Sequence, residues 1–153
     1  MRLTASVLAS ISEQYPSMAF VSGEAFYWSP SEREITYELD DPDGYEHILH
    51  EISHALLEHT KYDSDITLIQ MERAAWHYAK SRLGPKFNVQ ITDDLIQNDL
   101  DTYRDWLHAR STCPHCKSNG IQTAKRTYLC VVCEQTWTVN QALHCQLKRY
   151  IKK

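Results

Sequence analysis

The sequence predicts an α+β fold in two parts, a mixed front domain over residues 1–109 and a small cysteine-held module over residues 110–153. Three observations lead there. Several helical patterns share the front of the chain with one strand–turn–strand pattern, acidic residues crowd the front while basic ones crowd the tail, and four cysteines arrive in two close pairs after residue 112. At 153 residues with 42% hydrophobic content, the chain can bury one respectable core and a small appended module.

The elements follow from periodicity and punctuation. A first helix over residues 2–14 ends before the turn-forming "YPS". "AFYW" and "EITYEL" then flank "SPSER", the pattern of a β-hairpin with a proline-containing loop. The turn-rich "DDPDG" breaks it, and helical patterns follow at 44–60, 65–83 and 92–108, separated by "TKYDS" and "GPKFNVQ". In the tail, "SNG" supplies a turn, "TYLC" and "TWTV" read as strands, and "NQALHCQLKRYIKK" reads as a terminal basic helix.

Charge divides where the cysteines begin. Residues 1–109 hold 8 Lys and Arg against 19 Asp and Glu, whereas residues 110–153 hold 8 against the single acid Glu134. The domain boundary is therefore expected near Arg110–Thr112. The apolar residues of "MRLTASVLASI" are spaced rather than continuous, which is not the h-region of a signal peptide, and no segment approaches the roughly 20 apolar residues of a membrane span. A cytoplasmic chain is expected, in which closely spaced cysteines bind metal rather than form disulfides.

Four of the eight histidines fall within "YEHILHEISHALLEH", residues 45–59. At 100° per residue, Ile48, Leu49, Ile52, Ala55 and Leu56 share the core-facing arc, while His47, His50, His54 and Glu58 lie opposite and Glu51 lies toward the edge. A solvated polar face would explain that distribution. The spacing points elsewhere: His50, Glu51 and His54 form H-E-x-x-H, in which imidazoles one turn apart can share one Zn²⁺ and the adjacent carboxylate is turned toward the metal's water.

The next helix supplies a second oddity. Leu68, Ile69, Ala75, Trp76, Ala79 and Leu83 surround Glu72 at helical spacings, which sets a carboxylate in the middle of an apolar stripe. A buried charge needs a partner, and Arg73, Arg82, a shared proton or a metal would each serve. A zinc ligand explains both oddities, because His50 and His54 need a third donor from another element.

Taken in order, "AFYWSPSEREITYEL", "HEISHALLEH" and "QMERAAWHYAKSRL" resemble gluzincin metallopeptidases, most nearly the small ImmA/IrrE-type group, over residues 20–85. That resemblance implies a small zincin-like domain, catalytic zinc on His50, His54 and Glu72, and Glu51 as general base. The chain has "E-R-A" where the group has "E-A-[ND]" around the third ligand. The SprT-like group also joins H-E-x-x-H to a zinc ribbon, but it takes its third ligand from a histidine in an "H-G" context absent here, leaving His59 and His77 as substitutes ranked below Glu72. The implied chemistry is hydrolysis of a protein or peptide substrate: zinc acidifies its water toward roughly pKa 7, Glu51 takes the proton and returns it to the leaving amine. Tyr62, His77 and Tyr78 are candidate oxyanion donors, and "EITYEL" is a candidate edge for an extended peptide.

The tail reads as C-x2-C-x13-C-x2-C. Cys113, Cys116, Cys130 and Cys133 make two knuckles that can close a tetrahedral site, and the segment resembles a zinc ribbon whose structural zinc leaves no position open to water. Two Zn²⁺ per chain are thus expected, one catalytic and one structural. His115 is expected to be exposed, Cys145 to be a small apolar helix residue and His144 a helix-surface group. Around the ribbon, Arg110, Lys117, Lys125, Arg126, Lys148, Arg149, Lys152 and Lys153 could follow a phosphate backbone, with Tyr128 or Trp137 stacking on a base. Two functional classes therefore compete: a zinc-dependent endopeptidase, and a non-catalytic nucleic-acid or protein adaptor whose H-E-x-x-H site is vestigial.

Overall fold

The computed structural model describes residues 1–141 and 146–151. Contacts divide the chain into two compact units, Met1–Lys61 with Met71–Ile96, and Tyr62–Gln70 with Gln97–Lys153. The architecture is α+β, and among the described residues no helix is long and apolar enough to cross a membrane.

In the first unit, helix α1 (Ala5–Gln14) starts at Thr4, whose Oγ1 accepts the Val7 N–H at 3.3 Å, and it buries Ile11 completely. Strands β1 (Ala19–Ser22), β2 (Tyr27–Ser29) and β3 (Glu34–Tyr37) follow. β2 and β3 make the expected hairpin, with Trp28 opposite Ile35, while β1 pairs in parallel with the other side of β3. β3 is thus the central strand, with Ile35 fully buried, and the expectation that "EITYEL" presents a free edge is corrected. Both of its ladders are used, so the sheet's edges are β1 and β2.

Helix α2 (Gly44–Leu56) buries Tyr45, Ile48, Leu49 and Ile52 as its periodicity requires. Its polar side is buried too, with His50, Glu51 and His54 only 4%, 8% and 7% exposed, which removes the solvated-face explanation. The helix stops four residues short of the expected end. Glu58 enters the left-handed region at φ 56°, and the His59 N–H turns back to the His54 carbonyl at 3.0 Å, a helix-ending turn made without glycine. Helix α3 (Asp65–Tyr78) passes into a wide π turn at Ala79–Leu83 and a short helix α4 (Gly84–Phe87), and Asn88 at φ 57° ends the run. "GPKFNVQ" is accordingly half helical: Pro85 sits in the first turn of α4, where a missing N–H costs little.

In the second unit, helix α5 (Asp93–Ser111) leads from Gln97 onward into four strands, β4 (Gly120–Ala124), β5 (Thr127–Cys130), β6 (Thr136–Val139) and β7 (Arg149–Ile151), antiparallel in chain order. Over Arg149–Ile151 the chain is strand β7 rather than part of the expected terminal helix. Asn140 closes the return, its side chain donating to the Gln146 carbonyl at 2.9 Å and accepting the Lys148 N–H at 3.0 Å, and Tyr150 and Ile151 then pair with Thr138 and Trp137. Aromatic and β-branched residues favour that pleated surface. His144, Cys145, Lys152 and Lys153 lie outside the described residues.

One sheet face forms the core of this unit, with Tyr128, Cys130, Trp137 and Val139 buried. Trp137 crosses Gly120 so closely that a Cβ there would meet the indole at 2.4 Å, which accounts for the glycine at the start of β4. Beneath the sheet lies a buried polar trio. Arg110 Nε donates to the Tyr128 hydroxyl at 2.9 Å and lies 3.4 Å from Asp65 Oδ1, and the Tyr128 hydroxyl donates to Asp65 Oδ2. Arg110 and Asp65 are each 2% exposed, and the guanidinium also donates to the carbonyls of Asn140 and Gln141 at 3.2 and 3.0 Å. Burial and the Asp65 carboxylate push the Tyr128 phenol well above its ordinary value, against the Arg110 charge.

Candidate metal centres

The first centre lies where α2 faces α3. One turn apart on α2, His50 and His54 bring their Nε2 atoms to 3.1 Å, and Glu72 Oε2 from α3 lies 3.0 Å from the first and 3.4 Å from the second. Three donor atoms thus converge on one spot from two helices, and all three residues are buried. Burial alone would raise the Glu72 carboxyl, but hydrogen bonds and charge from His50 and His54 hold it far below the usual carboxylate range. Arg73 and Arg82, the other partners that the sequence offered Glu72, are exposed. Glu51 follows His50 on α2 and is buried at 8% exposure.

Two further residues pack around this centre, Trp76 and the substitute ligand candidate His59. Trp76, fully buried one turn after Glu72, stacks on the His50 ring with centroids 4.2 Å apart and planes 24° apart. His59 is not a ligand: its Nδ1 sits 2.8 Å from Nδ1 of His54, on the far side of that ring from the cluster. The helix-ending turn at Glu58 brings it there, a geometry that residue types alone do not announce. Burial, then the His54 charge, holds the His59 imidazole below its ordinary value, which favours the neutral ring that a hydrogen-bond acceptor requires. His77 is exposed on α3, five residues from Glu72 and so about 140° round the helix, which rules it out as the substitute ligand.

The second centre brings together Cys113, Cys116, Cys130 and Cys133, whose sulfurs all lie within 4.8 Å of one another. The same turn is built twice. The Lys117 N–H returns to the Cys113 carbonyl at 3.0 Å with Lys117 at φ 65°, and the Glu134 N–H returns to the Cys130 carbonyl at 3.2 Å with Glu134 at φ 62°. In the second turn the Val132 and Cys133 amides point at Cys130 Sγ at 3.4 and 3.5 Å. Hydrogen bonds from Ser118 draw the Cys116 thiol down to about 6. At Cys133 a backbone hydrogen bond from Gln135 favours the thiolate, but burial and three neighbouring sulfurs outweigh it and push the thiol up to about 12. His115 is exposed between the first pair.

The aromatic residues expected to stack on bases are not at the surface. Trp137 and Tyr128 are 0% and 1% exposed, stacked on each other at 5.6 Å, with the Trp137 N–H donated to the Arg110 carbonyl at 3.0 Å. Arg110 is likewise withdrawn from the exposed basic set by its buried ion pair. Lys117, Lys125, Arg126, Lys148 and Arg149 remain exposed.

No protein-family model, curated protein or solved structure matches the chain. Fold and side chains define an α+β protein with two groups of residues that could each hold a metal ion, one of nitrogen and oxygen donors and one of four sulfurs.

Proposed function

We propose that the chain is a zinc-dependent endopeptidase of the gluzincin type, with catalytic zinc on His50, His54 and Glu72 and structural zinc on the four cysteines. The observation that carries this reading is the buried convergence of His50, His54 and Glu72 beside a buried Glu51. The donor chemistry fits. Tetrahedral donors at zinc–nitrogen and zinc–oxygen lengths of about 2.0–2.1 Å stand about 3.3 Å apart, and the three donors here are separated by 3.0, 3.1 and 3.4 Å. Zinc–sulfur lengths of about 2.3 Å imply about 3.8 Å between sulfurs, against 3.6 Å for Cys113–Cys133 and 3.4 Å for Cys116–Cys130.

Bound at the first centre, zinc supplies a Lewis acid and a water acidified toward neutrality. His50, His54 and Glu72 would hold the ion with three protein donors, a set that would leave room for a water, whereas the four thiolates would not. Glu51, buried one residue from a ligand on the same helix, would serve as the general base, holding a proton that it could return to a departing amine. With Nε2 committed to the cluster, His54 donates from Nδ1 to His59, which fixes the ring's tautomer, and Trp76 fixes the plane of His50.

The test is elemental analysis joined to an activity screen on a peptide library. Wild-type chain should hold two zincs, Glu72→Ala and His54→Ala one each, and Glu51→Gln two zincs with turnover lowered at least about 100-fold. Full turnover by Glu51→Gln refutes the mechanism. One zinc in the wild type, unchanged by either ligand variant, favours the adaptor reading.

A further inference from the structure

The second unit carries a surface that the metal chemistry does not use. Side chains directly opposite one another across an antiparallel sheet share a face. The pairings Ile121↔Leu129↔Thr136 and Thr127↔Thr138↔Tyr150 therefore place six residues on the face turned away from Trp137 and the cysteines. Ile121 and Tyr150 are each 53% exposed, and the threonines between them are half-buried and small. The result is a floor of threonine and aliphatic side chains with one aromatic side chain standing at its edge strand.

Basic residues gather at one end of that floor. Lys125 and Arg126 form the β4–β5 turn, with Arg126 at φ 57°. The Arg126 carbonyl accepts the Val139 N–H at 3.0 Å, Val139 pairs with Arg149, and the Asn140 N–H donates to the Lys148 carbonyl at 3.3 Å. The β4–β5 turn and the start of β7 thus bring Lys125, Arg126, Lys148 and Arg149 to the same end of the sheet. Arg149 also donates to the Ala109 carbonyl, so Lys125, Arg126 and Lys148 are the exposed charges not engaged in this way. The acids nearby are few: Asp63 lines a small cavity with Lys125 and Arg126, Asp65 is consumed by Arg110, and Glu134 sits in the second cysteine turn away from this end.

We infer that this face binds single-stranded nucleic acid, with Lys125, Arg126 and Lys148 on successive phosphates and Tyr150 stacked on an unpaired base. Charge complementarity selects a polyanion, and an exposed phenol ring beside small threonines selects one whose bases are free, because in a duplex the base faces are already stacked. Strand spacing of about 4.8 Å places β7 roughly 10 Å from β5, the strand leading out of the basic turn, which is a reach suited to a short run of nucleotides. Nothing in this inference depends on the front centre, so it stands or falls apart from the peptidase reading.

The experiment is fluorescence anisotropy with the full zinc-loaded chain, a labelled 12-nucleotide single strand, the matching duplex and polyglutamate as a competitor. Single-strand binding is expected, with log K falling against log salt at a slope of about −2 for three phosphate contacts. Tyr150→Ala should weaken it at least about fivefold, and Tyr150→Phe should retain it, since the ring rather than the hydroxyl stacks. Lys125→Glu and Lys148→Glu should each weaken binding and flatten the salt slope. Equal affinity for the duplex, displacement by polyglutamate as effective as by the single strand, or indifference to Tyr150→Ala in a variant that keeps its zinc would each overturn the inference.

Discussion

Arg110→Met removes the guanidinium from the buried trio while keeping an aliphatic stem of similar reach. Asp65, 2% exposed, would then hold a carboxylate deprived of its cation at 3.4 Å, and the carbonyls of Asn140 and Gln141 would lose their Arg110 donors. Breaking a buried pair from one side costs about 3–5 kcal/mol, which is roughly two to four orders of magnitude in the local opening constant. Amide hydrogen exchange on the zinc-loaded chain reads this directly, because the amides of β5 and β6 report opening of this sheet without requiring the whole chain to unfold as one unit. Pairing the change with Asp65→Leu should recover most of the loss, since an apolar replacement leaves no orphaned charge. An exchange rate within about fivefold of wild type in Arg110→Met alone would refute the reasoning, reducing the trio to the about 0–1 kcal/mol of an exposed ion pair.

Two further outcomes are expected. His59→Phe keeps the ring but removes the acceptor behind His54, and it should lower front-centre zinc affinity about 10–100-fold in chelator competition while the four-cysteine zinc stays; unchanged affinity would show that His59 does not orient its neighbour. Tyr128 has its folded-state value raised above the ordinary 10.0, so its contribution to stability is complete below about pH 10 and is lost as pH rises through the folded value. Alkaline unfolding followed by circular dichroism and tyrosinate absorbance should show that loss in the wild type and not in Tyr128→Phe, and identical curves would remove Tyr128 as the cause.

Much of the first centre was legible because helices impose a period. H-E-x-x-H announces two imidazoles on one face, and Glu72 stands out as the one acid inside an apolar stripe. Its two histidine partners confirm why such a residue is tolerated there. Contacts between residues far apart in the chain left no comparable mark. Nothing local in Asp65 or Arg110 shows that they will meet across 45 positions, and a four-residue strand such as β1 has too little length for alternation to register. The burial of Trp137 and Tyr128 was within reach. Cys130 must face the other three cysteines, and in a strand the residue two places earlier shares that face, so Tyr128 turns inward and brings its cross-strand neighbour Trp137 with it. A base-stacking role for Tyr128 or Trp137 runs against that alternation. The terminal segment misled differently: its lysines and leucines suit a helix, and the Asn140 return, which a pattern of helix formers does not reveal, redirects it into a strand.

The placement of Glu72 on a different helix from the histidines also makes the front centre a staple. His54 and Glu72 are 18 residues apart in sequence, and an ion held by both would close a loop of that length. Covalent closure of loops near this size restricts the unfolded chain by about 3 kcal/mol, and a tightly held ion acts in the same sense. Without an ion there, residues 57–64 between α2 and α3 would lose that closure and become more open to proteolytic nicking.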